Sequence, residues 1–305
     1  MFSKTIIFAN LLTLLFPWPI FNQHVYQVFR DNFNDNSRIE IKLNQVNDNY
    51  DIPESSSQVF NLPWINDEDF LRAKNESNTP ILMAAFCAVL INPLPGEEYN
   101  VALAAKKICG QVVKPSEIFS QNARLGPYNE KNGYREGATY VSGEILMDTG
   151  GGVCKIATSL YNLVVLTNQE VIERHNHSMP INYVPYGQDA TVAYGVKDFK
   201  FKNNTQGNIL IWSKLIDNRL YMGFYGTEKP PEITWKHYMS NAIKPPIKYV
   251  KNEDLNQGEM RTVVQGLDGA TVKSEIIIKY RDNTTEIRDM GISRYMPLPE
   301  LIEIN

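Results

Sequence analysis

Hydrophobic positions change their period several times along the chain, and each change predicts an element. Residues 155–167 place Ile156, Leu160, Leu163 and Val164 at i, i+4, i+7 and i+8, the face a helix buries against a sheet. A shorter helix is predicted over 97–108, with Tyr99, Leu103 and the Lys106 stem on one side and Gly110 in the position that closes it. The apolar run 80–91 reads as a strand, and 111–113 and 118–119, around Pro115, as short strands or their edges. Beyond the long helix, 170–174, 181–184, 191–194, 199–202 and 209–215 all read as strands. Asp217-Asn218 turns the last of these into 220–225 as a hairpin. After a stretch punctuated by Pro230, Pro231, Pro245 and Pro246, strands are predicted again at 261–264, 271–280 and 286–287, with a hairpin turn at Asp282-Asn283. The pattern implies an α+β fold: a mainly antiparallel sheet with a few packed helices, followed by a small all-β domain.

The N-terminus follows other rules. Lys4 precedes an apolar run from Thr5 to Phe16 that ends at Pro17 and Pro19, the arrangement of a secretory signal. The run is shorter than the ~20 residues of a spanning helix, and no Ala-x-Ala site follows it. Residues 1–24 are therefore expected to be a signal peptide or an uncleaved N-terminal anchor, which would place the protein in the cell envelope or outside the cell. The stretch 31–58 is rich in Asn, Asp, Ser and Gln, with one strand-like alternation at 39–43, so 25–77 reads as a polar spacer or arm. Two domains, 78–228 and 229–305, are expected to follow.

Composition and charge narrow the choices. With 43% hydrophobic, 11% aromatic and 21% charged residues in 305, the chain has the make-up of a globular protein. Thirty basic residues against 34 acidic ones are scattered, which leaves no footprint for nucleic acid. Three cysteines cannot build a disulfide framework, so at least one thiol is free. Cys87 and Cys109 lie in or at the end of apolar runs and read as small core residues, able to pair in an oxidising compartment.

Cys154 has different neighbours. Gly150-Gly151-Gly152 hands the chain to the long helix, so the thiol begins in a first turn whose N–H groups lack helical partners. The helix dipole favours thiolate there, and thiols at such ends fall from ~8.5 into roughly 3.5–7.5 when a His or Lys assists. The same N–H groups would hold an oxyanion, and glycines let a carbonyl approach them closely. The alternative is a buried Cys that merely starts a core helix. Glu173-Arg174-His175-Asn176-His177-Ser178 supplies two imidazoles at i and i+2, on one face if the segment is a strand. Either could exchange a proton with the thiol. His175 and His177 with Cys154 also form a zinc-type ligand set, and both histidines could be purely structural. Asp189 is the best placed carboxylate to orient a His, with Asp198 as the other candidate, although Asp after Gly187-Gln188 also suits a turn.

These motifs resemble the VanW family. The resemblance runs over about 78–228, through Phe119-Ser120, Gly126-Pro127, Gly133-Tyr134, Gly150 to Cys154, Ser159-Leu160-Tyr161-Asn162, Glu173 to Ser178, Tyr183-Val184-Pro185, Gly187 to Val192 and Asp198 to Asn203, in one order. The tail, with Ser293-Arg294-Tyr295-Met296-Pro297, is similar to the small β domain that often follows VanW domains in Gram-positive bacteria. The resemblance implies an L,D-transpeptidase that forms 3-3 crosslinks in peptidoglycan, with stem peptides as partners and no cofactor or metal. Cys154 would be the nucleophile, His175 or His177 the base, and Asp189 its orienting carboxylate. The backbone of Gly151, Gly152, Val153 and Cys154 would furnish oxyanion donors, and Lys155, Ser178 and Tyr183 would line the substrate. Lys155 stands where the family typically has Gln, and Ala157 where it has Ser. Two further readings stay open: a cell-wall-binding protein without activity, and a thiol hydrolase of stem peptides.

Overall fold

A computed structural model of the chain describes residues 50–93, 96–141 and 144–305. In chain order, β1 (Ser57–Gln58), α1 (Glu68–Glu76), β2 (Ile81–Val89), α2 (Glu97–Ile108), β3 (Val112–Val113), β4 (Ile118–Ser120), α3 (Gln121–Leu125), β5 (Glu136–Val141) and β6 (Glu144–Thr149) lead to the long helix α4 (Cys154–Leu166). After it come β7 (Glu170–Glu173), β8 (Lys200–Lys202), β9 (Ile209–Ile216) and β10 (Arg219–Gly226). The tail holds β11 (Glu232–Ile243), β12 (Ile247–Lys251), β13 (Met260–Val264), β14 (Gly269–Lys279), β15 (Thr285–Tyr295) and β16 (Glu300–Ile304). Pairing is antiparallel except between β12 and β16, which matches the α+β expectation. The proposed signal segment and the alternation at 39–43 lie outside the described residues. No helix of the described residues is long and apolar enough to cross a membrane.

The central sheet has the order β1-β2-β10-β9-β3 and is covered on both faces. That explains the unbroken apolar run of β2, since successive side chains point to opposite faces and here both faces are dry. Phe86 and Ala88 turn to the side of α4, whereas Ala85, Cys87 and Val89 turn to a second cluster with Val59, Leu62, Trp64 and Phe70. Part of the expected spacer is therefore built into the fold. β1 pairs with β2, Trp64 is fully buried and donates its indole N–H to the Tyr225 hydroxyl at 2.9 Å, and α1 is capped by Asp67. The start expected near residue 78 moves back because a strand apolar on both faces needs a second cover. All three cysteines are free, so Cys87 and Cys109 do not pair.

Helix α4 begins at Cys154 and is buried from Lys155 to Val165, with Ile156, Leu160, Leu163 and Val164 fully enclosed as the periodicity predicts. Burying each such side chain contributes about 1.5–3 kcal/mol, so α4 is the anchor of this core. In α2 the buried face is Val101, Ala104, Ala105 and Ile108, with Glu97 and Asn100, rather than the Tyr99 side. The small residues let α2 lie close to β9, and the Tyr99 ring instead stacks under the Arg135 guanidinium at 3.7 Å.

Segments 181–184 and 191–194, expected as strands, are loop. Between them side chains of α4 hold the backbone, the Thr158 hydroxyl donating to the Ala190 carbonyl and accepting the Ala190 N–H, both at 3.0 Å, and Asn162 donating to the Gln188 carbonyl at 2.9 Å, while the Thr191 N–H goes to the His175 carbonyl at 2.8 Å. The β5–β6 hairpin and the twelve-residue β11 are additions to the expected elements, the latter because its surrounding prolines suggest a linker. In the tail, β11, β14 and β15 form one sheet and β12, β16 and β13 another.

Candidate active site

Cys154 sits where a tight turn meets α4. Gly150 and Gly152 have φ of 91° and 100°, values that exclude most side chains. Gly151 serves another purpose: a Cβ there would lie 2.2 Å from the Gly137 carbonyl carbon, so only glycine lets the turn press against β5. Asn100 of α2 holds the turn to that strand by donating to the Gly151 and Arg135 carbonyls, each at 2.9 Å. The half-buried thiol is then fixed by the loop after Asp189. Its Sγ is 3.3 Å from the Thr191 hydroxyl, accepts the Val192 N–H at 3.5 Å and faces the Val192 carbonyl at 3.6 Å.

His177 and Asp189 complete a line of groups. The buried Asp189 carboxylate accepts from His177 Nδ1 and from the His177 backbone N–H through one oxygen, each at 2.7 Å. With Nδ1 so engaged, Nε2 is the ring nitrogen left for the Cys154 thiol, whose ionisation His177 favours. Burial pushes the Cys154 thiol up, but the hydrogen bond and charge of His177, with Thr191 and Val192, outweigh it and leave the thiol below its usual value. Burial alone would lower His177, yet its bonds to Asp189 and Cys154 raise it to about 9. Asp189 is raised by burial and brought down by His177 and Arg174 to about 2. The set is a thiol, an imidazole and a carboxylate in line, the arrangement a nucleophile with a proton carrier and an orienter would have.

Residues 96–225 match the model of the family described as VanW like protein. The chain carries a VanW-like domain. It is 35% identical over 130 residues to the "Uncharacterized protein YoaR" of Bacillus subtilis (strain 168), covering 43% of each chain. It is 29% identical over 143 residues to the "Vancomycin B-type resistance protein VanW" of Enterococcus faecalis (strain ATCC 700802 / V583), covering 45% of this chain and 52% of that one. The chain thus spans about half the length of the curated relatives it matches. Among solved structures, the G5 domain of an IgA1 protease aligns with 26% of the chain at 21% identity and a TM-score of 0.16. The G5 domain of HP0197 aligns with 24% at 13% identity and a TM-score of 0.14.

Within the VanW-like domain the two histidines part company. Strand β7 ends at Glu173, so the i, i+2 geometry does not extend through the pair, and the His175 ring turns to the Glu173 carboxylate at 3.0 Å. The zinc-type set of Cys154, His175 and His177 therefore does not converge, and no cluster of potential metal ligands is present among the described residues. Asp198 is also elsewhere: it accepts from the Ser120 hydroxyl at 2.5 Å and from the Asn122 and Phe199 N–H groups, fixing the start of α3. It lines a groove with Asn122, Tyr194, Val196, Lys197 and Lys200.

The residues expected around the substrate have partners of their own. The Gly151 and Val153 N–H groups are used inside the turn, by the Asp148 and Gly150 carbonyls at 3.2 and 3.3 Å. Among the described residues, the N–H groups of Gly152 and Cys154 are those of this turn without a backbone acceptor. Lys155 is buried and bonded to Glu97 at 3.0 Å, with its Nζ 5.0 Å from the centre of the Tyr183 ring, so its charge is answered away from the thiol. Tyr183 lies under the site with its hydroxyl 3.2 Å from that of Thr158, and the Ser178 carbonyl accepts the Met296 N–H of the tail. Residues that join the site without a chemical signal of their own are Thr191, Val192 and Arg174, within the stretches 173–178 and 187–192, and Tyr295, whose hydroxyl meets Asp189 from 106 residues away. Nothing local to Tyr295 marks that contact.

Proposed function

We propose that this chain acts on the bacterial cell wall as a cysteine acyl transferase, an L,D-transpeptidase that joins two peptidoglycan stems through a Cys154 thioester. The observation that carries this reading is the Cys154–His177–Asp189 line at the head of α4, where thiol and imidazole are tuned toward the ion pair. The VanW-like domain and the vancomycin-resistance name of one relative support a cell-wall role. Export through the N-terminal segment would bring the protein to that substrate.

In the first half-reaction the Cys154 thiolate attacks the carbonyl of the L-centre residue that precedes the terminal D-Ala of a tetrapeptide stem. The C–S bond forms, the carbonyl electrons move to oxygen, and the Gly152 and Cys154 N–H groups meet the oxyanion. Collapse breaks the C–N bond, and His177 gives its proton to the departing D-Ala amine. In the second half, neutral His177 takes a proton from the amine of another stem as it attacks the thioester, which restores the thiolate. Asp189 keeps Nδ1 occupied throughout, so Nε2 alone moves protons.

The test is incubation of the purified chain with a disaccharide-tetrapeptide, beside Cys154→Ala. Crosslinked dimers lacking one D-Ala, made by the wild type and absent from the variant, are the expected products. Trimmed monomers without dimers would replace the transferase by a hydrolase. Unchanged substrate with both folded proteins would leave wall binding without chemistry.

A further inference from the structure

The family match ends at residue 225, yet the buried carboxylate of the site is completed by strands beyond it. Asp189 uses one oxygen for His177; the other accepts from the Arg174 guanidinium at 2.9 Å and from the Tyr295 hydroxyl at 2.5 Å. That hydroxyl also accepts the Gly187 N–H at 2.8 Å, so its proton is committed to Asp189. Arg174 is itself tied to the tail, donating to the Ser293 hydroxyl at 2.7 Å. Around this point the Gln188 side chain meets the His237 ring at 3.0 Å, and the Tyr186 hydroxyl donates to the Asp268 carbonyl at 2.6 Å. Every residue of the loop 186–189 thus has a partner on β11, β14, β15 or the turn before β14, or on Arg174 which β15 holds.

We propose that Tyr295 is a positioning residue of the Cys154 site, and that the β11–β15 sheet is for this reason a working part of that site and not an appended module. The inference rests on the reading of Cys154 as the nucleophile. A carboxylate with both oxygens held cannot rotate, so His177 Nδ1 always finds the same acceptor and Nε2 the same direction. Without the Tyr295 O–H, one oxygen rests on Arg174 alone and the buried Gly187 N–H loses its acceptor. The carboxylate then holds His177 less firmly, imidazolium is less favoured, and the thiolate it supports is less favoured with it. Titratable and charged groups about Asp189 are His177, Arg174, Tyr161, Tyr183 and Tyr295; those about Cys154 are His177, Tyr128 and Tyr183.

Iodoacetamide reads this directly, because Sγ displaces iodide only as thiolate. Alkylation of Cys154 is followed against pH by peptide mass spectrometry on the full chain, for wild type, Tyr295→Phe and Arg288→Ala. Arg288 joins the same sheet to the Asn168 side chain at 2.9 Å, away from Asp189. The expected result is a Tyr295→Phe profile moved up by about one unit, with roughly tenfold slower alkylation on its acid limb, and an unmoved Arg288→Ala profile. Coincident wild-type and Tyr295→Phe profiles, or an equal shift in Arg288→Ala, would overturn the proposal. Should Tyr295→Phe not fold, Ser293→Ala takes its place with a smaller shift of the same sign, and an unmoved profile there is equally fatal. A wild-type profile typical of an ordinary thiol would instead remove the Cys154 reading on which the inference stands.

Discussion

Asp189 has two oxygens and four donors: the His177 ring, the His177 N–H, Arg174 and Tyr295. Such saturation is what allows a carboxylate to stay ionised out of water. Its pKa of about 2 lies below the ordinary 3.8, so the stability it contributes is complete above about pH 4 and is lost as pH falls through 2. The shift is worth about 2 kcal/mol. Urea denaturation between pH 5 and 2 is expected to show the wild type losing about 2 kcal/mol more than Asp189→Asn over that interval. Parallel losses would mean that the carboxylate is not held as an anion. At this scale Cys154 could be read from its glycines alone, since a Gly-rich turn before a periodic apolar run places a thiol at a helix start. The choice between His175 and His177 could not, because it depends on where β7 stops, and that is decided by pairing with β8 rather than by neighbouring residues.

Helix α4 and the turn before it act as one element. The apolar spacing that predicts the helix also orients Cys154, because a helix enclosed on all sides cannot rotate without breaking its packing. Gly151 transmits this to β5. Gly151→Ala would force a methyl group into the Gly137 backbone, costing about 1–3 kcal/mol and moving the head of α4 away from Thr191 and Val192. Slower Cys154 alkylation at neutral pH together with a lower denaturation midpoint is the expected outcome; a variant as stable and reactive as wild type would refute the tight approach. The loop expected as strands at 181–184 and 191–194 illustrates why elements are harder to read than periodicity suggests. Its alternating side chains suit a sheet, but the Thr191 and Val192 N–H groups go to the His175 carbonyl and the Cys154 Sγ, and no local pattern announces such partners.

Over the whole molecule, what the sequence hides is contact between distant segments. The apolar run of β2 announces a strand buried on both faces, but not that residues from Val59 to Phe70 supply one cover. Likewise the strands of the tail are recognisable by their alternation and turns, whereas the docking of Tyr295 and Ser293 around Asp189 and Arg174 emerges only when the chain is folded. The α+β class, the anchor helix and the thiol at its head follow from spacing; the completed site follows from tertiary contact. The central claim is that Cys154 takes up the stem peptide through its sulfur. Intact-protein mass spectrometry after brief mixing with a disaccharide-tetrapeptide at limiting acceptor tests it most directly. A mass gain equal to the substrate less D-Ala, located on Cys154 and absent from Cys154→Ala, is the expected result. A folded wild type that turns over the substrate with no adduct at Cys154, or an adduct that persists in Cys154→Ala, would contradict it.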